Sequence, residues 1–146
     1  MCNVTLEQAD IIITAALAKA RASNLRPLTV AVLDAGGHAV ALKRENNSST
    51  LRPQITHGKA AGAIGMGLPS RVMHKRAKEQ PAFYTALSDL MGGHLVPMPG
   101  GVLVRAAKGG SIIGAVGASG DTGDNDELCA VAGIEAAGLY ADIGAE

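Results

Sequence analysis

The four histidines of this sequence are its side chains best suited to acid–base chemistry near neutral pH. They are His38, His57, His74 and His94. His38 follows a Gly-Gly pair in a predicted hairpin turn and His74 lies in a basic run, so both are expected to face solvent. His57 lies near a predicted helix start and His94 in a Gly/Pro-rich segment, where functional residues are often carried, so these two are candidate catalytic or ligand-binding residues. No H-x-H, H-x-x-x-H or H-E-x-x-H pattern occurs, and no metal site is expected.

The segment GAVGASGDTGDNDE, residues 114–127, combines glycines with acidic side chains. Its glycine spacing does not fit a dinucleotide-binding turn, and no Gly-Lys-Ser/Thr triplet occurs. Counted from Asp121, the glutamate that an EF-hand calcium loop needs at its last position is missing. The pattern instead predicts a helix start with Asp124 as N-cap and Glu127 at the third helical position. Asp121 and Asp126 are not needed for capping and are candidate site residues.

Two basic residues, Arg44 and Lys59, could bind a carboxylate group of a ligand. The alternative is solvation at the surface or an ion pair with Glu45, Asp126 or Glu127. The sequence leaves both interpretations open.

The composition excludes several classes of function. The 146 residues include 13 Lys and Arg against 13 Asp and Glu, a balance that argues against nucleic acid as a partner. No apolar stretch reaches the roughly 18 residues of a membrane span, so we expect no membrane partner and a cytoplasmic location. Cys2 and Cys129 form no C-x-x-C motif, and Cys129 is predicted to be a buried thiol. The aromatic fraction is 2%, so the core is built from small aliphatic residues that bury little area each, and we expect association into a homo-oligomer.

Periodicity and turn residues predict one domain over residues 1–146. The first helix begins at a capping box, Thr5 to Gln8, and ends near Asn24. The later elements are a hairpin (28–34 and 39–44), a polar loop (45–53), helices from 54 to about 91 broken at 65–69 and at Pro81, an irregular segment (92–101), a second hairpin (102–106 and 111–118) and a helix from about 125 to 143. This order predicts an α+β fold, with an antiparallel sheet of about five strands and helices packed on it. The elements of the fold are one helix, a hairpin, helices, a further strand, a second hairpin and a helix.

Four segments in order resemble the GlcG/HbpS-like family, also called the haem-degrading domain family. They are residues 30–38, the helix carrying Lys59-Ala60, residues 94–101, and residues 113–127 followed by Ala132-Gly133. The resemblance implies a profilin-like sandwich around an antiparallel sheet, often in oligomers as large as octamers. It also implies haem as a cofactor. Haem-binding relatives are expected to use a histidine of the first helix, and residues 5–24 contain none.

The first functional hypothesis is therefore a small-ligand-binding protein of this type. Its pocket is expected near residues 92–100 and the turn 119–127. The ligand would be a tetrapyrrole or a small organic anion held by Arg44, Lys59 and the acidic corner at Asp126 and Glu127, with Asp121 nearby.

The rival hypothesis is an enzyme without an organic cofactor, either an isomerase, a cyclase or a lyase acting on a small carbonyl compound. His57 or His94 would be the general base, Asp126 or Glu127 the second acid–base group, and Lys59 would stabilise an enolate-like charge. A third hypothesis is a structural or partner-binding subunit. The residues alone do not decide whether the protein is an enzyme.

Overall fold

A computed structural model describes residues 2–144 and shows an antiparallel sheet covered by helices on both faces. The elements in chain order are α1 (Leu6–Ala22), β1 (Thr29–Asp34), β2 (Ala39–Arg44), α2 (Arg52–Met66), α3 (Ser70–Glu79), α4 (Pro81–Leu90), β3 (Gly101–Arg105), β4 (Ile112–Ser119), α5 (Gly123–Ala136) and β5 (Tyr140–Asp142). The five strands are ordered β2-β1-β4-β3-β5, and every neighbouring pair is antiparallel. The predicted α+β class and the predicted number of strands are confirmed.

Local signals in the sequence set most of the helix ends. The capping box of α1 forms as predicted, because Thr5 Oγ1 accepts from the amide of Gln8 while Gln8 Oε1 accepts from the amide of Thr5. Gly67 takes a left-handed conformation, φ 65°, at the end of α2, and Pro81 starts α4. The two predicted breaks in the helical region are therefore confirmed.

The two hairpins meet at the centre of the sheet. β1 pairs with β4 over its whole length, so that Val32 lies beside Val116 and Thr29 beside Ser119. Side chains of successive strand residues point to opposite faces. On one face Val32 and Val116 pack with the buried residues of α1 and α5, and on the other Leu33 packs with those of α2, α3 and α4.

Glycines in the sheet allow α2 to lie directly on β3 and β4. A Cβ atom at Gly117 would overlap with the carbonyl oxygen of Thr56, and one at Gly101 would overlap with that of Lys59. Glycine is therefore required at position 117, where another backbone approaches the strand. The short distance to the sheet is what buries Lys59.

The C-terminal part of the chain differs from the prediction. The last helix ends at Ala136 instead of near residue 143, because Gly138 turns left-handed (φ 74°) and donates to the carbonyl of Glu135. Tyr140–Asp142 then pairs with β3 as the fifth strand, while residues 92–100 contain no strand. Residues 140–142 do not continue the helix because the open edge of β3 hydrogen-bonds them as a strand.

The predicted N-cap of the last helix is also wrong. Thr122 is the N-cap, and its hydroxyl accepts from the amide of Asn125. Asp124 lies inside the first turn, where its carboxylate pairs with Arg71 across the interface with α3. Threonine and aspartate both serve as N-caps, so the sequence spacing alone could not choose between them.

Among residues 2–144, no helix is both long and apolar enough to cross a membrane.

Candidate functional site

His57 and His94 are in direct contact at the surface of the protein. Their Nδ1 atoms are 3.1 Å apart, within hydrogen-bonding distance, and the ring planes meet edge to face at 77°. His57 is half-buried and His94 is exposed. Because one imidazole must donate and the other accept in this contact, both Nε2 atoms remain available to a ligand.

Backbone contacts hold the two imidazoles together. Immediately after His57, the carbonyl of Gly58 accepts from the amide of Val96 at 3.1 Å. Leu95 is fully buried against Gly62, one turn further along α2. The segment carrying His94 is thus fixed to the helix carrying His57 on the C-terminal side of both residues.

A glycine turn fixes the other side of His94. Gly92 and Gly93 have φ values of 63° and 86°, which favour glycine, and they continue directly from the end of α4. The amide of Gly93 donates to the carbonyl of Ser88 at 2.7 Å, and the amide of His94 donates to that of Met91 at 3.1 Å. The position of His94 therefore follows from the way in which α4 ends.

The environment of His57 favours its neutral form. Burial lowers the pKa of His57, and the nearby positive charge of a protonated His94 lowers it further. A neutral imidazole can accept a proton or bind a metal ion.

A cleft of about 570 Å³ lies between α3, α4 and the following segment, and neither His57 nor His94 lines it. The residues before and after His94, Gly93 and Leu95, both line it. Polar groups in its wall come from α4, namely Tyr84, Thr85, Ser88 and Asp89. The cleft therefore adjoins the chain segment that carries His94, although the imidazole itself does not line it.

Lys59 and Asp126 form an ion pair inside the protein. The Nζ atom of Lys59 donates to Asp126 Oδ2 at 3.2 Å and to the carbonyl of Ala118 at 3.0 Å. Lys59 is 3% exposed and Asp126 1%. Burial lowers the pKa of Lys59 and raises the pKa of Asp126, and the attraction between the two charges opposes both shifts. Both side chains are therefore almost completely shielded from solvent.

The other two acidic candidates also bond within the protein. Both carboxylate oxygens of Glu127 accept from Arg71 Nε, at 2.9 and 3.0 Å. Asp121 accepts from the amides of Arg26 and Thr122 and from the side-chain amide of Asn125. These bonds, that from Asn125 first, lower the pKa of Asp121.

Arg44 lies apart from the other candidates. Its guanidinium donates to the carbonyl of Ser48 at 2.7 Å, and it lines a separate cleft with Leu17 and Arg21 from α1. Lys59 comes from α2, which covers the opposite face of the sheet from α1. The structure thus brings His57 together with His94 and Lys59 with Asp126, but it does not join these pairs to Arg44.

Sequence reasoning missed the polar contacts that three other residues, Arg52, Arg71 and His74, make around this region. Arg71 holds Glu127 and Asp124. Arg52 donates to Ser119 Oγ at 2.8 Å. His74, predicted to face solvent, is half-buried, and its Nδ1 lies 3.1 Å from the carbonyl of Pro97. The partners are 23 to 67 residues apart, and no local pattern in the sequence signals such contacts.

Comparison with known proteins identifies one family over most of the chain. The family model described as "Haem degrading protein HbpS-like" matches residues 4–135. No curated protein sequence matches the chain significantly.

Solved structures with the same fold cover nearly the whole chain. A crystal structure of PduOC in complex with haem is 21% identical, with a TM-score of 0.84, and the alignment covers 96% of this chain and 99% of that one. A crystal structure of HbpS is 28% identical, with a TM-score of 0.77 and coverages of 91% and 89%. Protein ORFY of Klebsiella pneumoniae is 23% identical, with a TM-score of 0.82 and coverages of 92% and 90%.

Proposed function

Because this chain belongs to the HbpS-like family of haem-degrading proteins, we propose that it binds a small ligand, with haem as the candidate, through the surface at His57 and His94. The observation that carries the proposal is the contact between these two imidazoles at the surface, where the residues on either side of His94 line an open cleft. The predicted acidic and basic candidates bond to other protein groups, whereas His94 is exposed.

The chemistry of the histidine pair fits haem iron. Imidazole is a common axial ligand of haem, and a ligating histidine usually donates its second ring N–H to an acceptor. His94 would bind the iron through Nε2, and His57 would accept the proton of its Nδ1 atom. This arrangement replaces the first-helix histidine that haem-binding relatives are expected to use and that residues 5–24 lack.

The fit is weaker for the carboxylate groups of haem. No Arg or Lys lines the cleft next to the segment that carries His94, and Asp89 would repel a propionate there. Arg44 and Lys59, the residues predicted to bind a carboxylate group of the ligand, instead bond to Ser48 and Asp126. We therefore expect a site in which the iron ligand supplies most of the affinity and the propionates face solvent.

Titration with haem, followed by its Soret absorbance, tests the proposal. The unsubstituted protein should give a saturable Soret shift, which His94→Ala should abolish and His57→Ala should weaken. His38→Ala is the matched control, since His38 is also exposed but lies in the β1–β2 turn. Equal titrations of the unsubstituted protein and His94→Ala would overturn the proposal.

The rival hypothesis of a cofactor-independent enzyme remains a prediction. Its proposed base is available, because the pKa of His57 is lowered. Its proposed acids are less suited to proton transfer, since Asp126 is buried on Lys59 and Glu127 is held by Arg71. The geometry therefore favours ligand binding. A purely structural or partner-binding role also remains a prediction.

We also propose that the protein is a homo-oligomer, as the sequence predicts. Several large apolar side chains lie on the surface of the single chain. They include Ile11, Leu51, Leu90 and Leu128, which are 47% to 82% exposed. Burial of such side chains between copies would add stability that a core of small residues lacks. Light scattering at micromolar concentration tests this proposal, and the mass of a single chain would contradict it. The cytoplasmic location remains a prediction.

A further inference from the structure

We propose that His57 and His94 together bind a free divalent ion of the late transition metals, between their Nδ1 atoms and in the absence of haem. This site goes beyond the proposed haem function and does not depend on it, because haem would use His94 Nε2 and leave the contact between the Nδ1 atoms intact. Three features favour this site: the distance between the two nitrogens, the backbone that holds them, and the ligand preferences of the metals.

The separation of the two nitrogens suits a shared ion. Zinc–imidazole bonds are about 2.0–2.1 Å long, so two nitrogens on one tetrahedral ion lie roughly 3.3 Å apart. The Nδ1 atoms of His57 and His94 are 3.1 Å apart. Rotation of each ring about its side-chain torsions would point both lone pairs at one ion, and the nitrogens need to move apart by only a few tenths of an ångström.

Backbone contacts hold the two histidines in position before an ion binds. The bond from Val96 to Gly58 and the buried contact of Leu95 with Gly62 hold the second segment on α2. These contacts follow each histidine within a few residues, so little chain entropy is lost when the ion binds. Neither histidine comes from a long unattached loop.

The donor set selects the kind of metal. Two neutral imidazoles favour Cu²⁺, Ni²⁺ and Zn²⁺ over Mg²⁺ and Ca²⁺, and the Irving–Williams order places Cu²⁺ above Ni²⁺ and Zn²⁺. Among residues 2–144, no group of three His, Cys, Asp or Glu side chains could hold a metal. Water or an external ligand would therefore complete the coordination of an ion at this pair, which leaves open positions as in catalytic metal sites.

The proton balance of binding is simple. In the neutral pair one ring carries its proton on Nδ1 and donates it to the other ring. When the ion takes both Nδ1 lone pairs, that proton moves to Nε2 of the same ring, so no proton is released. If one ring is protonated beforehand, one proton is released per ion bound.

Calorimetric titration with Ni²⁺ and with Cu²⁺ tests the site in protein free of haem. All proteins should carry Cys2→Ser, because Cys2 is an exposed thiol and would bind these metals itself. We expect one ion per chain, bound more tightly for Cu²⁺ than for Ni²⁺. His57→Ala and His94→Ala should each weaken binding at least about tenfold, since even loss of a residue that only supports a metal ligand has an effect of that size.

Two controls make the result specific. His38→Ala should leave the affinity unchanged, because His38 contacts Asp34 in a different turn. Circular dichroism should show that both alanine variants at the pair remain folded. Equal metal affinity of the Cys2→Ser protein and of its His57→Ala and His94→Ala variants would overturn the metal site. Because the titration contains no haem, that failure would leave the haem proposal to its own Soret experiment.

Discussion

At the scale of single residues, the protein separates two kinds of polar group. His57 and His94 meet at the surface, whereas Lys59 and Asp126 meet in the interior, although all four were candidates for the same pocket. An interior ion pair stabilises a fold only while both charges are present, because removal of one partner leaves the other buried and unpaired. The two pairs should therefore respond very differently to substitution.

Substitution of one member of the buried pair should be costly. We expect Lys59→Met or Asp126→Leu to lower the free energy of unfolding by about 3 kcal/mol, because each strands a buried charge. The double variant should recover much of the loss, since it leaves no unpaired charge. Urea denaturation measures these values. Lys75→Met, an exposed lysine on α3, is the control and should change the stability by less than about 0.5 kcal/mol. A Lys59→Met protein as stable as Lys75→Met would contradict the structural role.

The carboxylate of Asp121 should make stability depend on pH at the acidic end. The three bonds from Asn125, Arg26 and Thr122 lower its pKa in the folded protein, so its contribution is present above the unfolded pKa of about 3.9 and is lost as the pH falls. Asp121→Asn should thus cost about 1–2 kcal/mol at pH 7 and progressively less below pH ~4. Urea midpoints at pH 7 and at pH 3 provide the measurement. Asp10→Asn, at an exposed carboxylate on α1, is the comparison, and a cost for Asp121→Asn that does not depend on pH would exclude this explanation.

At the scale of elements, glycines set how closely the helices approach one another. Gly133 on α5 faces the backbone of α1, and a Cβ atom there would overlap with the carbonyl oxygen of Ile12. Gly65 on α2 is exposed, and its nearest neighbours are the flexible end atoms of Met91, at 3.2 and 3.3 Å from a Cβ atom. Both glycines lie within helices, so alanine improves the helix propensity equally at both sites.

The two glycine sites should therefore respond in opposite ways to the same change. Gly133→Ala should lower the free energy of unfolding by about 2 kcal/mol or more, because α1 and α5 must move apart. Gly65→Ala should be neutral or should stabilise by up to about 1 kcal/mol, since only the end of Met91 has to shift. Thermal unfolding of both variants gives the comparison. Similar melting temperatures would show that α1 and α5 can separate without cost.

At the scale of the whole molecule, the reactivity of the two cysteine thiols indicates whether solvent can enter the core. Cys2 is exposed, whereas Cys129 lies on α5 with no exposed surface, in the core that α1 and α5 form with the sheet. Burial, with the charge of Asp126 as the second cause, raises the pKa of Cys129 to about 11. The thiolate is the reactive form, so Cys129 is protected both by its pKa and by its position.

Thiol titration at pH 8 should therefore count one cysteine in the native protein and two in the denatured protein. The Cys2→Ser variant isolates the buried thiol, and its reaction should become fast only above the urea concentration that unfolds the chain. Fast reaction of native Cys2→Ser would show that the core opens locally around α5.

Local patterns predicted much of the fold. The capping box at Thr5, the breaks before α3 and α4, and the two hairpins follow from hydrogen bonds and backbone preferences within a few residues. Predictions failed where the sequence is compatible with two alternative local structures. Thr122 and Asp124 are both suitable N-cap residues for α5. Residues 140–142 could either continue that helix or pair with β3 as a strand. The neighbouring structure decided both cases.

The sequence by itself determined most of the helices and strands, apart from the fifth strand, and the segments that mark the HbpS-like family. Only the tertiary structure decided which polar residues meet. His57 and His94 are 37 residues apart, Lys59 and Asp126 are 67 apart, and Arg71 and Glu127 are 56 apart. The physical reason is that periodicity and capping act within a few residues of the chain. These contacts depend instead on how closely α2 can lie on the sheet, and on where the turn after α4 attaches to α2.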